Sequence, residues 1–265
     1  MGIFPLWPNQ RSMVLRNDNL KGSSKMFYKF NIISFIILIT LVTQNLLAQK
    51  NIPSSQRSVN AINRVEDSLK QQLNLKGLKY GSPVFVRIFK ESSNLEIWVE
   101  NGNKTYSLFK TYKICNFSGD LGPKTKQGDW QSPEGFYFVT PNQLNPWSSY
   151  HLSFNLGYPN RYDRAYKRTG SALMVHGNCV SIGCYAMTDK YIDEIYALVN
   201  AALENGQSFF RVHAFPFKLD DTRLEKEKGE KWYSFWKNLK DGYDYFEENK
   251  VPPNVTVKNM QYVFE

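Results

Sequence analysis

The sequence predicts a β-rich α+β protein with flanking helices and a helical C-terminal extension. From residue 83 to residue 139, short runs of alternating apolar and polar residues are separated by turn signals, which is typical of β-strands. Before and after this region, apolar residues recur at helical spacing. A chain of 265 residues can bury one good core, and 42% hydrophobic residues exclude a disordered chain.

Residues 1–48 are predicted to be an upstream extension followed by a signal peptide or an N-terminal anchor. The apolar run from Phe30 to Leu47 follows three lysines and ends beside Ala48, a plausible cleavage point. A run of about 18 residues could also span a membrane uncleaved. No cysteine follows it directly, which argues against a lipid anchor. Either outcome delivers the remaining chain to the periplasm or cell envelope, and contact with a membrane is expected only through an uncleaved segment.

The rest of the chain divides into three predicted parts. Residues 49–80 are interpreted as a polar linker and an N-terminal helix that Gly77 ends, residues 81–216 as the core domain, and residues 217–265 as the helical extension with an aromatic stripe. The predicted strands read PVFVRIFK, LEIWVE, YSLFKTYKIC, EGFYFVT, SALMVHG and FFRVHAFPF, with the helix DKYIDEIYALVNAALENG between the last two.

Charge excludes one class of partner. The formal net charge is +9, and the excess of basic over acidic residues becomes smaller once residues 1–48 are removed. No basic block with interleaved aromatic residues is present, so we expect no nucleic-acid partner.

The segment VHGNCVSIGCYAMTD, residues 175–189, concentrates one of the three histidines and two of the three cysteines. It allows a metal site, a disulfide or a cysteine nucleophile. His176, Cys179 and Cys184 are too few ligands for a structural zinc site and match no common zinc spacing, so neither metal nor cofactor is expected. A Cys179–Cys184 disulfide would close a very short loop and stabilise little. Cys179 is therefore interpreted as a small buried apolar residue.

Nucleophilic catalysis fits the segment better. Such a site needs a thiolate, a base within hydrogen-bond reach and N–H donors for the oxyanion. Cys184 follows Gly183, where a substrate carbonyl could approach closely, and precedes a predicted helix whose dipole would lower the thiol pKa. His176, at a predicted strand end, can fold back across the turn as the base.

A family resemblance supports this interpretation. The pair His176-Gly177 followed by Ser181-Ile182-Gly183-Cys184 resembles the catalytic signature of YkuD-type L,D-transpeptidases, and similarity to the YafK-like branch extends over residues 57–265. The resemblance implies a β-sandwich or barrel-like catalytic domain. It also implies a cysteine that is acylated by the diaminopimelate carbonyl of a peptidoglycan stem peptide and then passes the acyl group to an amine or to water.

By resemblance, each signature residue receives a role. Cys184 is the nucleophile and His176 the proton donor and acceptor. Gly183 provides an oxyanion N–H, the carbonyl of Gly177 orients the imidazole, and Ser181 supports the turn.

Residues outside the signature are candidates for substrate binding. The loop region 142–170 is expected to complete the substrate site, and within it Asn155, Tyr158 and Arg161 either contact the stem peptide or only shape the loop. Tyr185 either packs or donates to the oxyanion. His151 and His213 are interpreted as structural.

Three functions remain open on the sequence. The leading one is an exported transpeptidase acting on peptidoglycan stems. The second is a hydrolase of the same family that cleaves cross-links or releases a wall-anchored lipoprotein. The third is a non-catalytic wall-binding module, because Ala186 stands where the main YkuD branch usually has arginine or asparagine.

Overall fold

The computed structural model describes residues 52–265. The predicted upstream extension and signal peptide or anchor, residues 1–48, therefore lie outside the described residues. Within residues 52–265, no helix is both long enough and apolar enough to cross a membrane.

Five α-helices and twelve β-strands form the described part of the chain. The helices are α1 (Gln56–Asn74), α2 (Arg161–Ala165), α3 (Asp189–Glu204), α4 (Asp221–Glu225) and α5 (Tyr233–Asn249). The strands are β1 (Val84–Phe89), β2 (Asn94–Glu100), β3 (Tyr106–Lys113), β4 (Asn116–Phe117), β5 (Gly135–Val139), β6 (Leu144–Asn145), β7 (Ser153–Asn155), β8 (Met174–His176), β9 (Tyr185–Ala186), β10 (Phe210–Phe215), β11 (Val255–Lys258) and β12 (Gln261–Phe264).

Two five-stranded sheets carry the fold. The first has the strand order β3-β2-β1-β10-β5, and its antiparallel β1–β2 hairpin is the one that the alternating sequence pattern predicts. The second has the order β4-β9-β8-β7-β6 and is built from two- and three-residue strands. Such short strands leave little periodicity in the sequence, and only β8 was predicted among them. The α+β class predicted from the sequence is confirmed.

Helix α3 lies against the main hydrophobic core. Its N-cap is Thr188, whose side chain accepts a hydrogen bond from the Tyr191 amide, and its C-cap is Asn205. Its apolar face, which includes Ile192, Ile195 and Val199, is fully buried. The helix therefore follows the periodicity of the sequence, and threonine is among the favoured N-cap residues.

Helix α1 begins at Gln56, inside residues 50–60, which their polar and serine-rich composition predicts to be linker. The serine-rich stretch interpreted as linker contains a capping box, in which Ser55 is the N-cap and accepts from the Ser58 amide, while Ser58 accepts from the Ser55 amide. Polar composition alone does not separate a helix cap from a linker.

The C-terminal region contains the predicted helices and an additional hairpin. Helix α5 buries Phe235, Trp236 and Leu239 of the aromatic stripe. After it, β11 and β12 pair as an antiparallel hairpin that the sequence analysis missed. The turn residues Asn259 and Met260 both have positive φ, as a two-residue hairpin turn requires, but methionine is not a turn signal.

A disulfide joins Cys115 to Cys179, with the Cα atoms 5.3 Å apart. The interpretation of Cys179 as an isolated apolar residue is therefore wrong, and so is the alternative Cys179–Cys184 bridge. Cys184 is the free thiol. The bridge ties the residue before β4 to the loop after β8, two strands that flank β9 in the second sheet.

We expect this disulfide to stabilise the fold substantially. The two cysteines are 64 residues apart, and closing a loop of that length lowers the entropy of the unfolded chain by an amount worth about 4 kcal/mol. The double variant Cys115→Ala/Cys179→Ala should lose about that much free energy of unfolding in urea titration, whereas Cys184→Ala should lose little. Equal stability of the wild type and the double variant would contradict the prediction.

Candidate active site

Strands β8 and β9 bring His176 and Cys184 together. The strands are parallel, with His176 opposite Ala186 and Val175 opposite Tyr185. Because side chains alternate between faces along a strand, His176 and Cys184 point to the same face as diagonal neighbours. Both residues line one cleft of about 490 Å³.

The imidazole of His176 is held in one orientation. It is only 2% exposed, and its Nδ1 lies 2.6 Å from the carbonyl oxygen of Gly177. Since a carbonyl can only accept, Nδ1 carries the proton, and in the neutral ring Nε2 keeps its lone pair. Burial lowers the pKa of His176, although the Gly177 carbonyl acts in the opposite direction. The ring is therefore neutral near neutral pH and can accept a proton at Nε2.

Gly177 is required at its position by close packing. A Cβ atom there would lie 2.5 Å from Asp189 Oδ1 and 3.0 Å from the Cβ of His151. The same Asp189 oxygen accepts from the Asn178 amide at 2.8 Å. The first turn of α3 thus fixes the backbone that presents the Gly177 carbonyl to the imidazole.

Cys184 has a half-buried thiol that donates weakly to the carbonyl of Ala172, with 3.7 Å between the two atoms. Burial raises the thiol pKa, while a Met174 backbone hydrogen bond and the Lys124 charge act in the opposite direction. Strand β9 lies between Cys184 and helix α3, and the thiol pKa is raised rather than lowered as a position before a helix predicts. The resting pair is a neutral thiol beside a neutral imidazole.

The turn before Cys184 is held by serine hydroxyls. Ser181 Oγ donates to the Cys184 carbonyl at 2.7 Å and accepts from the Gly183 amide at 3.1 Å. Ser132 Oγ donates to the same carbonyl at 3.1 Å. In this arrangement the Gly183 N–H is directed at Ser181. Its expected use as an oxyanion donor therefore requires that hydrogen bond to open.

Gly183 itself adopts a backbone angle that favours glycine, with φ of +142°. A Cβ atom there would also approach Leu173 Cδ1 to 3.2 Å. The turn that presents Cys184 is therefore specific to glycine at this position.

A buried ion pair that the sequence did not indicate supports this turn. Lys90 and Glu134 are both fully buried, with 3.0 Å between Nζ and Oε1, and Trp236 donates to the other Glu134 oxygen. Lys90 also donates to the carbonyl of Ser132. Burial lowers the pKa of Lys90, and the Glu134 carboxylate opposes that shift. In the sequence, Lys90 stands at the end of a predicted strand, where a lysine indicates only a solvent-exposed strand end.

None of the four residues expected to bind substrate lines the cleft at Cys184. Tyr158 is buried and donates to the carbonyl of Lys124, and Tyr185 is fully buried and donates to that of Pro133. Asn155 accepts from the Gly157 amide. These contacts shape the surrounding loops.

Arg161 lies elsewhere. It begins α2 and lines a separate groove with Phe138 and Arg211. The region 142–170 contributes other residues to the cleft, namely Asn145, Ser148, Ser149 and Tyr150.

Cys184 lies where two clefts meet. A second cleft of about 330 Å³ also contains Cys184, Ile182 and Ala172, and is lined in addition by Lys124 and the exposed Trp130. A thiol at such a junction can receive an acyl group from one side while a second molecule approaches from the other.

The remaining two histidines lie apart from the thiol. His151 Nε2 is 2.6 Å from Asp193 Oδ1. His213 is fully buried between Phe85 and Phe136, and burial holds its pKa well below the usual range. Among residues 52–265, no three His, Cys, Asp or Glu side chains are grouped to bind a metal ion.

An α+β scaffold that places a thiol beside a neutral imidazole, at the meeting point of two clefts, has the parts of a cysteine acyl-transfer site. Residues 83–250 match the family described as YkuD, the L,D-transpeptidase catalytic domain. The chain belongs to this family.

Sequence similarity to known proteins supports the same family. The chain is 49% identical over 199 residues to a protein of Escherichia coli (strain K12) named "Putative L,D-transpeptidase YafK", covering 75% of this chain and 78% of that one. The protein of the same name in Escherichia coli O157:H7 matches equally.

Two solved structures match the chain at low sequence identity. The helical cell shape determining protein Pgp2 from Campylobacter jejuni is 17% identical, with a TM-score of 0.41 over 72% of this chain and 80% of that chain. Bd1075 of Bdellovibrio bacteriovorus is 16% identical, with a TM-score of 0.36 over 67% of this chain and 78% of that chain.

The protonation states of the pair predict how Cys184 reacts with pH. Because its thiol pKa is raised, the thiolate fraction should grow steadily from about pH 6 to about pH 9. The rate of alkylation by iodoacetamide, followed by intact mass, should therefore rise throughout this range. Cys184→Ala should not react, since the other two cysteines are bonded to each other. A rate that is already constant in mild acid would indicate a preformed thiolate and contradict the assignment.

Proposed function

We propose that the protein is an exported L,D-transpeptidase that forms a thioester between Cys184 and a peptidoglycan stem peptide during cell-wall remodelling. The observation that carries this proposal is one cleft that contains both a free thiol and an imidazole whose Nε2 is available as a base. Family membership supports the reaction class, and the resemblance of the signature residues supports the diaminopimelate substrate.

In the first half-reaction, the Cys184 proton moves to Nε2 of His176 as Sγ attacks the carbonyl carbon at the L-centre of diaminopimelate. The oxyanion that forms needs N–H donors, and the turn at Gly183 and Cys184 is the nearest source. When the intermediate collapses, the carbon–nitrogen bond breaks and the imidazolium protonates the departing amine. The stem peptide is left as a thioester on Cys184.

In the second half-reaction, an amine attacks the thioester and passes its proton to Nε2. The sulfur leaves and takes up the proton again, so the thiol and the neutral imidazole are restored. A second cleft that reaches Cys184 favours an amine acceptor over water, because it gives an acceptor chain its own approach to the thioester. Hydrolysis, with release of wall-bound fragments or of a wall-anchored lipoprotein, is the competing outcome.

Export is part of the proposal. The Cys115–Cys179 disulfide supports it, because such bonds persist in oxidising compartments and are rare in the cytosol. The apolar run of residues 30–47 is the sequence feature that would direct the chain to the periplasm.

The acyl-enzyme provides the test. Purified protein incubated with a tetrapeptide-bearing muropeptide should gain the mass of the stem acyl group, and peptide mapping should place it on Cys184. His176→Gln should slow acylation by about 10²–10⁴-fold, the usual contribution of a general base. Adding an amine-bearing stem should discharge the adduct as a cross-linked dimer.

Three results decide between this mechanism and its alternatives. Full turnover by Cys184→Ala would contradict the mechanism. Discharge to free tripeptide alone, even with excess amine acceptor, would identify a hydrolase. A wall-binding module would retain binding to isolated sacculi and show no adduct at all.

A further inference from the structure

The aromatic ring of Tyr150 covers the His176 imidazole. The two ring centroids are 4.7 Å apart and the planes are inclined by 35°. The backbone of Tyr150 contacts the same pair, because its carbonyl accepts from the Gly177 amide at 3.0 Å. Tyr150 is 42% exposed, so the ring is placed between the imidazole and solvent. One residue thus contacts both the base and the glycine that orients it.

Tyr150 lies in a segment that has no regular secondary structure to fix its backbone conformation. The Tyr150 loop, residues 146–152, connects β6 to β7 and contains neither helix nor strand. His151, next to Tyr150, has a positive φ of 68°, an uncommon backbone conformation for a residue other than glycine. Such a conformation persists only where the surroundings enforce it.

The enforcing contacts come from helix α1. Arg57 Nη1 donates to the carbonyls of Ser148 and His151, at 2.7 and 2.9 Å. Ser55 Oγ donates to the carbonyl of Pro146 at 2.9 Å. A guanidinium bound to two carbonyls on either side of Tyr150 fixes the backbone of that residue.

Helix α1 is also connected to the Tyr150 loop indirectly, through Asp193 of helix α3. Asp193 accepts from Arg64 of α1 at 2.9 Å and is bonded to the ring of His151 at 2.6 Å. The loop is therefore tied by four contacts, at three of its residues, to groups outside the second sheet. Helix α1 lies outside residues 83–250, the part of the chain that matches the catalytic domain.

We propose that Tyr150 is a positioning residue for His176, and that Arg57 of the N-terminal helix sets the position of Tyr150. The inference rests on the proposed function, since it assigns His176 as the base. Tyr150 prevents the imidazole from rotating away from the Gly177 carbonyl and keeps water off one face of the ring. The N-terminal helix thereby completes the active site and is more than a spacer between the domain and a membrane.

Loss of the ring is the direct test. Tyr150→Ala should lower kcat by about 100-fold with little change in KM, because a misplaced base costs rate more than binding. Tyr150→Phe keeps the ring and should recover most of that loss. Arg57→Ala should lower kcat in the same direction by less, and Arg57→Lys should recover part of it. Lys70→Ala is the matched control, since Lys70 lies on the same helix and forms an ion pair with Glu66 of that helix.

The titration of His176 gives a readout that needs no substrate. With ¹³C-labelled histidine, NMR should show the His176 pKa rising in Tyr150→Ala, because the ring becomes more solvated. The melting temperature of each variant reports whether it is folded. Unchanged kcat and unchanged His176 titration in folded Tyr150→Ala would overturn the inference. If the titration shifts while the wild type turns over no wall substrate, the proposed function fails and the positioning role stands.

Discussion

The proposed chemistry of this protein depends on one hydrogen bond, from Nδ1–H of His176 to the carbonyl of Gly177, 2.6 Å long. A carbonyl bears no net charge, so it orients the ring without strongly stabilising the imidazolium form. A carboxylate in the same place would favour a proton on Nε2. Burial then keeps the imidazole neutral. The thiol of Cys184 is neutral for the same reason, because charge on either group is costly inside the cleft. In the proposed reaction, activation therefore occurs as the substrate binds, by direct transfer of the thiol proton to Nε2.

The rest of the fold holds the two partners of this transfer. On the cysteine side, the buried Lys90–Glu134 pair holds the carbonyl of Ser132, whose hydroxyl donates to the Cys184 carbonyl. A buried ion pair gives little net stability, because desolvation offsets the attraction. The pair instead fixes the position of the turn before Cys184, because it joins the first sheet and α5 to that turn of the second sheet. On the histidine side, helices α1 and α3 hold the Tyr150 loop, which contacts His176.

The sequence predicts the reactive pair and most of the scaffold, and physical reasons explain what it leaves out. Cys184 and His176 belong to a local signature, and the long strands and α3 have clear periodicity. The Cys115–Cys179 bridge spans 64 residues, so no local pattern reveals it. The roles of Ser132 and Tyr150 depend likewise on which distant segments meet. Loop composition likewise does not fix the direction of a side chain, so the sequence does not show that Tyr158 lies outside the cleft at Cys184.

The tautomer of His176 tests this account most directly. In ¹⁵N-labelled protein held above the pKa of His176, nitrogen chemical shifts distinguish a protonated Nδ1 from a protonated Nε2. We expect Nδ1 to carry the proton and Nε2 to have the chemical shift of an unprotonated nitrogen. A dominant Nε2–H form would leave no base facing Cys184 and would contradict the central claim.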